Sequence, residues 1–204
     1  NNLNPKYYIV DHKLRNESTR EALKVKKTLN SLNISSKILT VRGKKPQNKI
    51  QSFAREKRYD LLFSKCKKFR INNIILGHHM DDLLENFFLR MARGSGLKGL
   101  VSLGETTKIK NINLIRPLIR LEKKDLLFLS KFVFNFYVDD PSNYDLKFNR
   151  IKIRNFIEQL KSAGFDKKKF QLTLKNLKSS DKTIRFYVEK NKKINSIMNQ
   201  RKKN

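Results

Sequence analysis

Residues Leu76–Leu100 read LGHHMDDLLENFFLRMARGSGLKGL. Two histidines, three acids and an amide fall in the first eleven residues, an apolar run follows, and three glycines close the stretch. Just upstream, NNII continues into Leu76 as a short apolar run, the pattern of a strand covered on both faces. A buried strand that yields to a helix at Gly77-His78 is the repeating unit of an open α/β sheet. In such sheets ligands bind at the carboxyl ends of the strands, where the next helix offers free backbone N–H groups and the positive end of its dipole. With the helix starting near His78, His78, Asp82 and Glu85 fall within about 60° of one another on the helical wheel. His79 and Asn86 lie beside them, and Leu84, Phe87, Phe88 and Met91 take the opposite stripe at i, i+3, i+4 and i+7. The polar side is therefore predicted to face the mouth of the sheet. One acid on a first turn is an ordinary dipole partner worth about 0.3–1 kcal/mol. Two histidines, two aspartates and a glutamate so close together need a further reason, and such clusters mark functional sites.

Working outward, KYYIVDHKLRNES predicts a strand Tyr7–Val10, broken at Asp11, and a helix from Ser18, whose hydroxyl is expected to cap it. That helix ends near Asn30–Asn33. SSKILTVRG is a second strand closed by Gly43, and a helix from about Gln47 to Phe69 carries Phe53, Tyr59, Leu62 and Cys66 on one stripe. With NNIILGHH as the third strand, strand and helix alternate, which predicts an α/β fold with a doubly wound parallel sheet. Further on, NINLIRPLIRL is extended around Pro117, KKDLLFLSKF is a helix, and Asp139-Asp140-Pro141-Ser142-Asn143 is a turn composition. From about Phe156 a Lys-rich helical pattern is expected to run to the end without a closing Gly or Pro. The expected division is a sheet domain over 1–155 and a basic helical extension over 156–204.

Lys and Arg total 47 against 18 Asp and Glu, a formal charge of +29 at pH 7. That favours a polyanionic partner such as RNA or DNA, although a lysine-rich composition also fits plain solvated surface. No stretch approaches the ~18 apolar residues of a membrane span, and no signal pattern opens the chain. A soluble, cytoplasmic protein is expected. The single Cys66 excludes an intramolecular disulfide and a Cys-rich zinc site, which agrees with a reducing compartment. Residue 1 is Asn rather than Met and a strand begins almost at once, so a fragment, a processed product or a frame that has lost its beginning is expected.

His78 and His79 are adjacent and the third histidine, His12, is far off in sequence, which disfavours a zinc triad; carboxylates favour Mg²⁺ bridged to nucleotide phosphates. GSGLKG, Gly94–Gly99, matches G-x-G-x-x-G but follows a helix, whereas the dinucleotide fingerprint follows a strand. Flanked by Arg90, Arg93 and Lys98, it reads either as a basic loop for phosphate or RNA or as a left-handed helix stop.

These residues resemble the tRNA(Ile)-lysidine synthetase family of N-type ATP pyrophosphatases, the PP-loop superfamily. The resemblance runs along most of the chain: VDHKLRNES, AREKRY, the opening stretch with its R-G-S-G turn, IRPLIRLEKKDL, and VDDPSNYDLKFNRIKIRN. It implies an adenine nucleotide α-hydrolase-like fold and a two-step reaction on an isoleucine tRNA with a CAU anticodon. ATP adenylates the C2 carbonyl oxygen of an anticodon cytidine, and free L-lysine displaces AMP to give lysidine. ATP and Mg²⁺ are the implied cofactors, with Asp82 and Glu85 as metal ligands. By position, the resemblance implies a catalytic cluster of His79, Asp82, Glu85 and Arg58, with His12, Arg15, Gly77 and His78 near the nucleotide. Arg93, Lys98, Arg116, Arg150 and Arg154 match basic positions expected to meet tRNA or substrate; no membrane is implied, and a homodimer stays open. Two departures stand out. The family's S-G-G-x-D-S phosphate loop, expected upstream of D-H-x-L-R, does not occur in this sequence, and Arg150 is followed by Ile151 where the family carries asparagine. The first departure implies a pyrophosphatase domain over 1–155 without its first strand and phosphate loop, inactive by itself. Alternatives are another ATP-dependent tRNA-modifying enzyme, such as a thiolase using Cys66, or a non-catalytic tRNA-binding remnant.

Overall fold

A computed structural model of the chain describes residues 4–43, 46–48, 50–138 and 149–201. Its elements run β1 (Tyr7–Asp11), α1 (Ser18–Ser31), β2 (Ser36–Thr40), α2 (Ile50–Phe69), β3 (Asn73–Ile75), α3 (Met80–Met91) and α4 (Leu97–Leu100). They continue with β4 (Thr106–Ile109), β5 (Ile112–Ile115), α5 (Lys123–Phe134), α6 (Asn149–Ser162) and α7 (Lys167–Arg201). The turn composition at Asp139–Asn143 lies outside the described residues. Two compact units divide the chain: one comprises Asn1–Leu76, Lys108–Ile115 and Lys124–Asp139, the other Gly77–Thr107, Arg116–Lys123 and Asp140–Asn204.

In the first unit, the aromatic and β-branched run YYIVD suits an extended backbone. It pairs in parallel with β2, Tyr7 opposite Ser36 and Asp11 opposite Thr40, and the crossover helix α1 packs on both strands. Asp11, 2% exposed, builds the reversal between β1 and α1. It accepts hydrogen bonds from the Lys13 N–H at 2.9 Å, the Ser18 hydroxyl at 2.8 Å and the Thr19 hydroxyl at 2.7 Å. Burial alone pushes this carboxyl up, but the bonds from Thr19, Lys13 and Ser18 together hold it below the usual range. Ser18 therefore does not cap α1 as expected; its hydroxyl goes to Asp11 and to the Arg15 carbonyl at 3.0 Å.

α2 begins at Ile50, later than the expected Gln47, and lays Tyr59, Leu62, Phe63 and Cys66 against Ile74 and Leu114. Those two belong to β3 and β5, a parallel pair with Asn73 opposite Asn113 and Ile75 opposite Ile115. The parallel α/β class is as expected, while the described strands form two sheets, β1-β2 and β3-β5-β4. β3 also departs from the expected strand covered on both faces: Ile74 is 8% exposed, Ile75 71%. Successive side chains point to opposite faces, and α2 supplies the cover on the Ile74 side.

The core of the second unit is helical, with Met80, Leu83, Leu84 and Phe88 of α3 packed on Leu103, Ile119, Ile157, Phe170 and Leu174. α3 starts at Met80 rather than His78; its buried side keeps the expected Leu84 and Phe88, while Met91, the last residue of the helix, is 49% exposed and Glu85 is 3% exposed rather than on the open polar face. Gly94 ends α3 at φ +70°, with the Gly94 N–H on the Met91 carbonyl and the Ser95 N–H on the Arg90 carbonyl, both at 3.0 Å. That left-handed stop is one of the two readings of GSGLKG, and α4 follows directly. The Lys-rich helical segment expected from about Phe156 onward is shared between the end of α6 and α7. Gly164, φ +92°, closes α6, and Asp166 opens α7 by accepting the N–H groups of Lys168 at 2.6 Å and Lys169 at 2.9 Å. The expected boundary at 155/156 falls inside α6. Among the described residues no helix is long and apolar enough to cross a membrane.

Candidate active site

The predicted site residues divide between the two units. In the first, β1 and β2 end side by side, and their carboxyl ends open onto a cavity of about 530 Å³ lined by His12, Lys13, Thr40, Val41, Arg42, Gly43 and Phe53. Parallel strand ends are where an α/β sheet takes its ligands. Arg58 reaches in from α2, its Nη2 3.2 Å and its Nε 3.4 Å from His12 Nε2. Burial, and then the Arg58 charge, press the His12 imidazole below its usual pKa of 6.5, so at neutral pH it is an uncharged partner for that guanidinium. Arg15, on the turn that Asp11 organises, pairs with Glu21 at 2.8 Å. Sequence reading found His12, Arg15 and Arg58 but missed Lys13, Arg42 and Phe53. The available signal was Gly43 straight after a strand, the residue that turns the chain at φ +109°.

In the second unit the cluster gathers at the N-terminus of α3. His79 is the N-cap; its backbone N–H donates to Asp82 Oδ2 at 3.0 Å, and its ring Nε2 stands 3.4 Å from the same oxygen. Asp82 therefore both caps the helix and steadies the imidazole. Asp81, which the site prediction left out, stands on the other side of the ring, its Oδ2 3.7 Å from His79 Nδ1. It accepts Lys167 Nζ at 2.8 Å and the Lys123 N–H at 2.8 Å, while Lys167 also holds Glu122 at 2.7 Å. Glu85 turns inward and meets Arg154 Nε at 2.5 Å. Its second oxygen, Oε2, is buried with no hydrogen-bond partner. Burial, the largest influence, lifts the Glu85 carboxyl above the usual range, opposed by Arg154 and Arg150 and reinforced by the Asp82 charge.

Gly77 and His78 precede this helix, and a side chain at Gly77 would meet nothing within 4 Å, so the backbone there lies open to an approaching group. Arg93 and Lys98, at the end of α3 and on α4, are exposed. Arg116 is placed differently from the surface contact expected of it. It is 2% exposed, and its Nη1 donates to the Gly104 carbonyl and the Thr107 hydroxyl, each at 2.9 Å. The structure thus brings His12 to Arg58, and His79 to Asp82 and Glu85 to Arg154, while Arg116 is built into the interior of its unit.

A family model described as a PP-loop domain matches residues 1–161, the span that contains every site residue expected from the sequence. The chain belongs to the PP-loop domain family. This PP-loop chain is 36% identical over 157 residues to the tRNA(Ile)-lysidine synthase of Bradyrhizobium diazoefficiens, covering 77% of this chain and 44% of that protein. It is also 36% identical over 151 residues to the protein of the same name from Orientia tsutsugamushi, covering 74% and 34% of the two. The chain thus spans less than half the length of these relatives. Among solved structures, the U34-tRNA thiolase NcsA from Methanococcus maripaludis superposes with a TM-score of 0.65 at 17% identity, over 82% of this chain and 61% of that one. At that identity the PP-loop fold is what the two share.

Proposed function

We propose that this PP-loop chain is the adenylating part of a tRNA(Ile)-lysidine synthetase. On this reading, ATP activates an anticodon cytidine of an isoleucine tRNA and free L-lysine replaces the AMP. The observation that carries it is the 36% identity over 157 residues to a protein of that name. A cytosine C2 oxygen is a weak nucleophile, so its attack on the α-phosphorus needs the phosphate held in line and the charge of the departing pyrophosphate offset. In the first unit Lys13, Arg42 and Arg58 supply cations beside the strand-end cavity, and Phe53 supplies a flat wall suited to a purine. Arg15 and neutral His12 act there as nucleotide-positioning groups; the second unit by itself leaves its backbone open at Gly77 and His78, ahead of α3. In the second step the lysine amine bonds to C2, the bond from C2 to the former carbonyl oxygen breaks as AMP leaves with that oxygen, and the amine loses a proton. His79 is the base we assign to that proton: with Nε2–H facing Asp82 Oδ2, its Nδ1, which has no hydrogen-bond partner, is the nitrogen left to accept.

The donor set also fits Mg²⁺. Glu85 Oε2 is buried without a partner, and Asp82 raises the Glu85 carboxyl by like charge, so the two acids would gain from a shared cation. Asp82 and Glu85 would hold the ion, with nucleotide phosphates supplying the further oxygens this metal prefers. When bound, it supplies charge to offset the phosphates. Among the described residues no three His, Cys, Asp or Glu side chains form a metal site by themselves. Arg93, Lys98, Arg150 and Arg154 are assigned to tRNA, with Arg116 holding the Gly104–Thr107 backbone beneath. The sulfur-transfer alternative has less support: Cys66, the single cysteine, is buried and its thiol is pushed up by that burial, the opposite of a reactive thiolate.

The deciding assay incubates the purified chain with ATP, Mg²⁺, labelled lysine and a CAU-anticodon tRNA. A parallel arm uses the chain fused behind a relative's strand and S-G-G-x-D-S loop. Label is expected in tRNA with the fusion and not with the chain alone, and Asp82→Asn should cut the rate at least tenfold, about 1.4 kcal/mol of transition-state stabilisation. No label and no AMP from either arm would overturn the reading.

A further inference from the structure

The Gly104–Glu105 backbone in the second unit is ringed by four cations and a single acid. From beneath, buried Arg116 donates to the Gly104 carbonyl. From the side, Arg120 grips Glu105 Oε1 through Nη2 at 2.6 Å and Nε at 2.7 Å. From α7, half-buried Lys178 brings its Nζ to 3.7 Å from where a Cβ on Gly104 would stand. Lys182 follows one turn later on the same face of that helix. Burial depresses the Lys178 ammonium most, Lys182 and Arg120 depress it further by repulsion, and Glu105 alone opposes them. That one carboxylate is already committed to Arg120. Elsewhere on α7 three cations have acids: Lys167 holds two, Arg185 holds Asp181 at 2.7 Å and Lys192 lies 3.7 Å from Glu189. Among the described residues Lys178 and Lys182 form no such pair.

Like charges held together on an ordered backbone, with one ammonium partly stripped of water, are unfavourable in the free protein and become favourable when an anion arrives. An anion that contacts Lys178, Lys182 and Arg120 together must present several charges at close spacing along a line, which a polynucleotide backbone does. We propose that Lys178, Lys182 and Arg120 form a seat for consecutive backbone phosphates of an RNA strand, at the junction of α7 with the Gly104–Glu105 segment. The seat rests on the tRNA reading for the identity of that strand, and it lies on residues that reading does not use.

The test measures tRNA binding by the full chain as a function of salt for wild type, a Lys178→Ala/Lys182→Ala double variant, a Lys178→Arg/Lys182→Arg variant and a Lys190→Ala/Lys193→Ala control farther along the same helix. Each lost phosphate contact lowers the slope of log K against log salt by about 0.7 to 0.9, so the first variant should lose about 1.4 to 1.8. The arginine variant should regain the slope, and the control should leave it unchanged. In parallel, amine-directed acylation of Lys178, read by mass spectrometry, should be blocked by tRNA and not by inorganic pyrophosphate or ATP at equal concentration. An unchanged slope, an equal loss in the control, protection by pyrophosphate alone, or no tRNA binding by wild type at low salt overturns the seat. Lysine incorporation run on the same variants in the fusion that carries the relative's strand and loop separates the two ideas: intact incorporation with an unchanged slope removes the seat and leaves the enzymatic reading standing.

Discussion

Arg154 and Glu85 are unequal partners, and that inequality can be measured. The Glu85 side chain is 4% exposed and that of Arg154 is 32% exposed. Replacing Glu85 with Gln leaves a guanidinium that can turn to water, whereas Arg154→Met leaves a carboxylate buried and unpaired. Breaking such a pair from the exposed side should destabilise by about 3 kcal/mol, more than Glu85→Gln does. Burial already places the folded Glu85 above the 4.5 of the unfolded chain, so across that window the folded state holds a proton the unfolded state has released. Its stability contribution is therefore best below 4.5 and falls as pH rises through the folded value. The Arg154→Met penalty should accordingly be small in acid and full above neutrality, as read from urea unfolding at the two pH extremes. A penalty that grows on acidification would show that Glu85 is held by something other than Arg154.

At the scale of elements, the N-terminus of α3 is held by a residue far away in sequence. Lys167 opens α7 and reaches Asp81 and Glu122 with a side chain that is 14% exposed. Lys167→Met should loosen the first turn of α3, seen as faster hydrogen exchange at the Leu83 and Leu84 amides, while the far end of α7 stays as protected as before. Burial alone would lower this ammonium, but Asp81 and Glu122 take it above 10.5; Asp81 is held below 3.8 by Lys167 and the Lys123 N–H against its own burial. The Asp81 contribution is lost as pH falls through its folded value, and the Lys167 contribution as pH rises through its own, so the anchor should be flat in between. Asp166→Ala, one residue earlier, removes the cap of α7 and should lower the thermal-unfolding midpoint, while Asp166→Asn should keep it.

Much of this level was legible in the sequence. Short apolar runs located β1, β2 and β3, and α3 and α5 follow helical spacing. What failed to show had long-range causes. Glu85 is buried because α6 packs on α3 and brings Arg154, sixty-nine residues on, against it. Ser18 looked like a cap until Asp11 claimed it, and Arg116 looked like surface until Gly104 and Thr107 closed over it. The residues of the strand-end cavity are individually ordinary, and it is the pairing of β1 with β2 that assembles them.

For the whole molecule the charge of +29 dominates. Self-repulsion of that size destabilises the compact state and is screened by salt. The free protein should therefore melt at a higher temperature as sodium chloride rises from about 50 to 200 mM, while tRNA binding weakens about 10³-fold or more over the same range if six phosphates are contacted. Opposite trends in one buffer series identify charge as the common cause; parallel trends would point to a hydrophobic origin for one of them.

Cys66 gives this chain a clock that no engineering is needed to install. It is the only thiol, and it sits 7% exposed against Ile74 and Leu114 in the core of the first unit, with no counterpart in the second. A disulfide reagent can reach it only when that core opens, so the rate of modification counts the openings of one unit and is blind to the other. Set beside the loss of helical circular dichroism, which draws on both units, it tells whether this molecule comes apart in one event or in two.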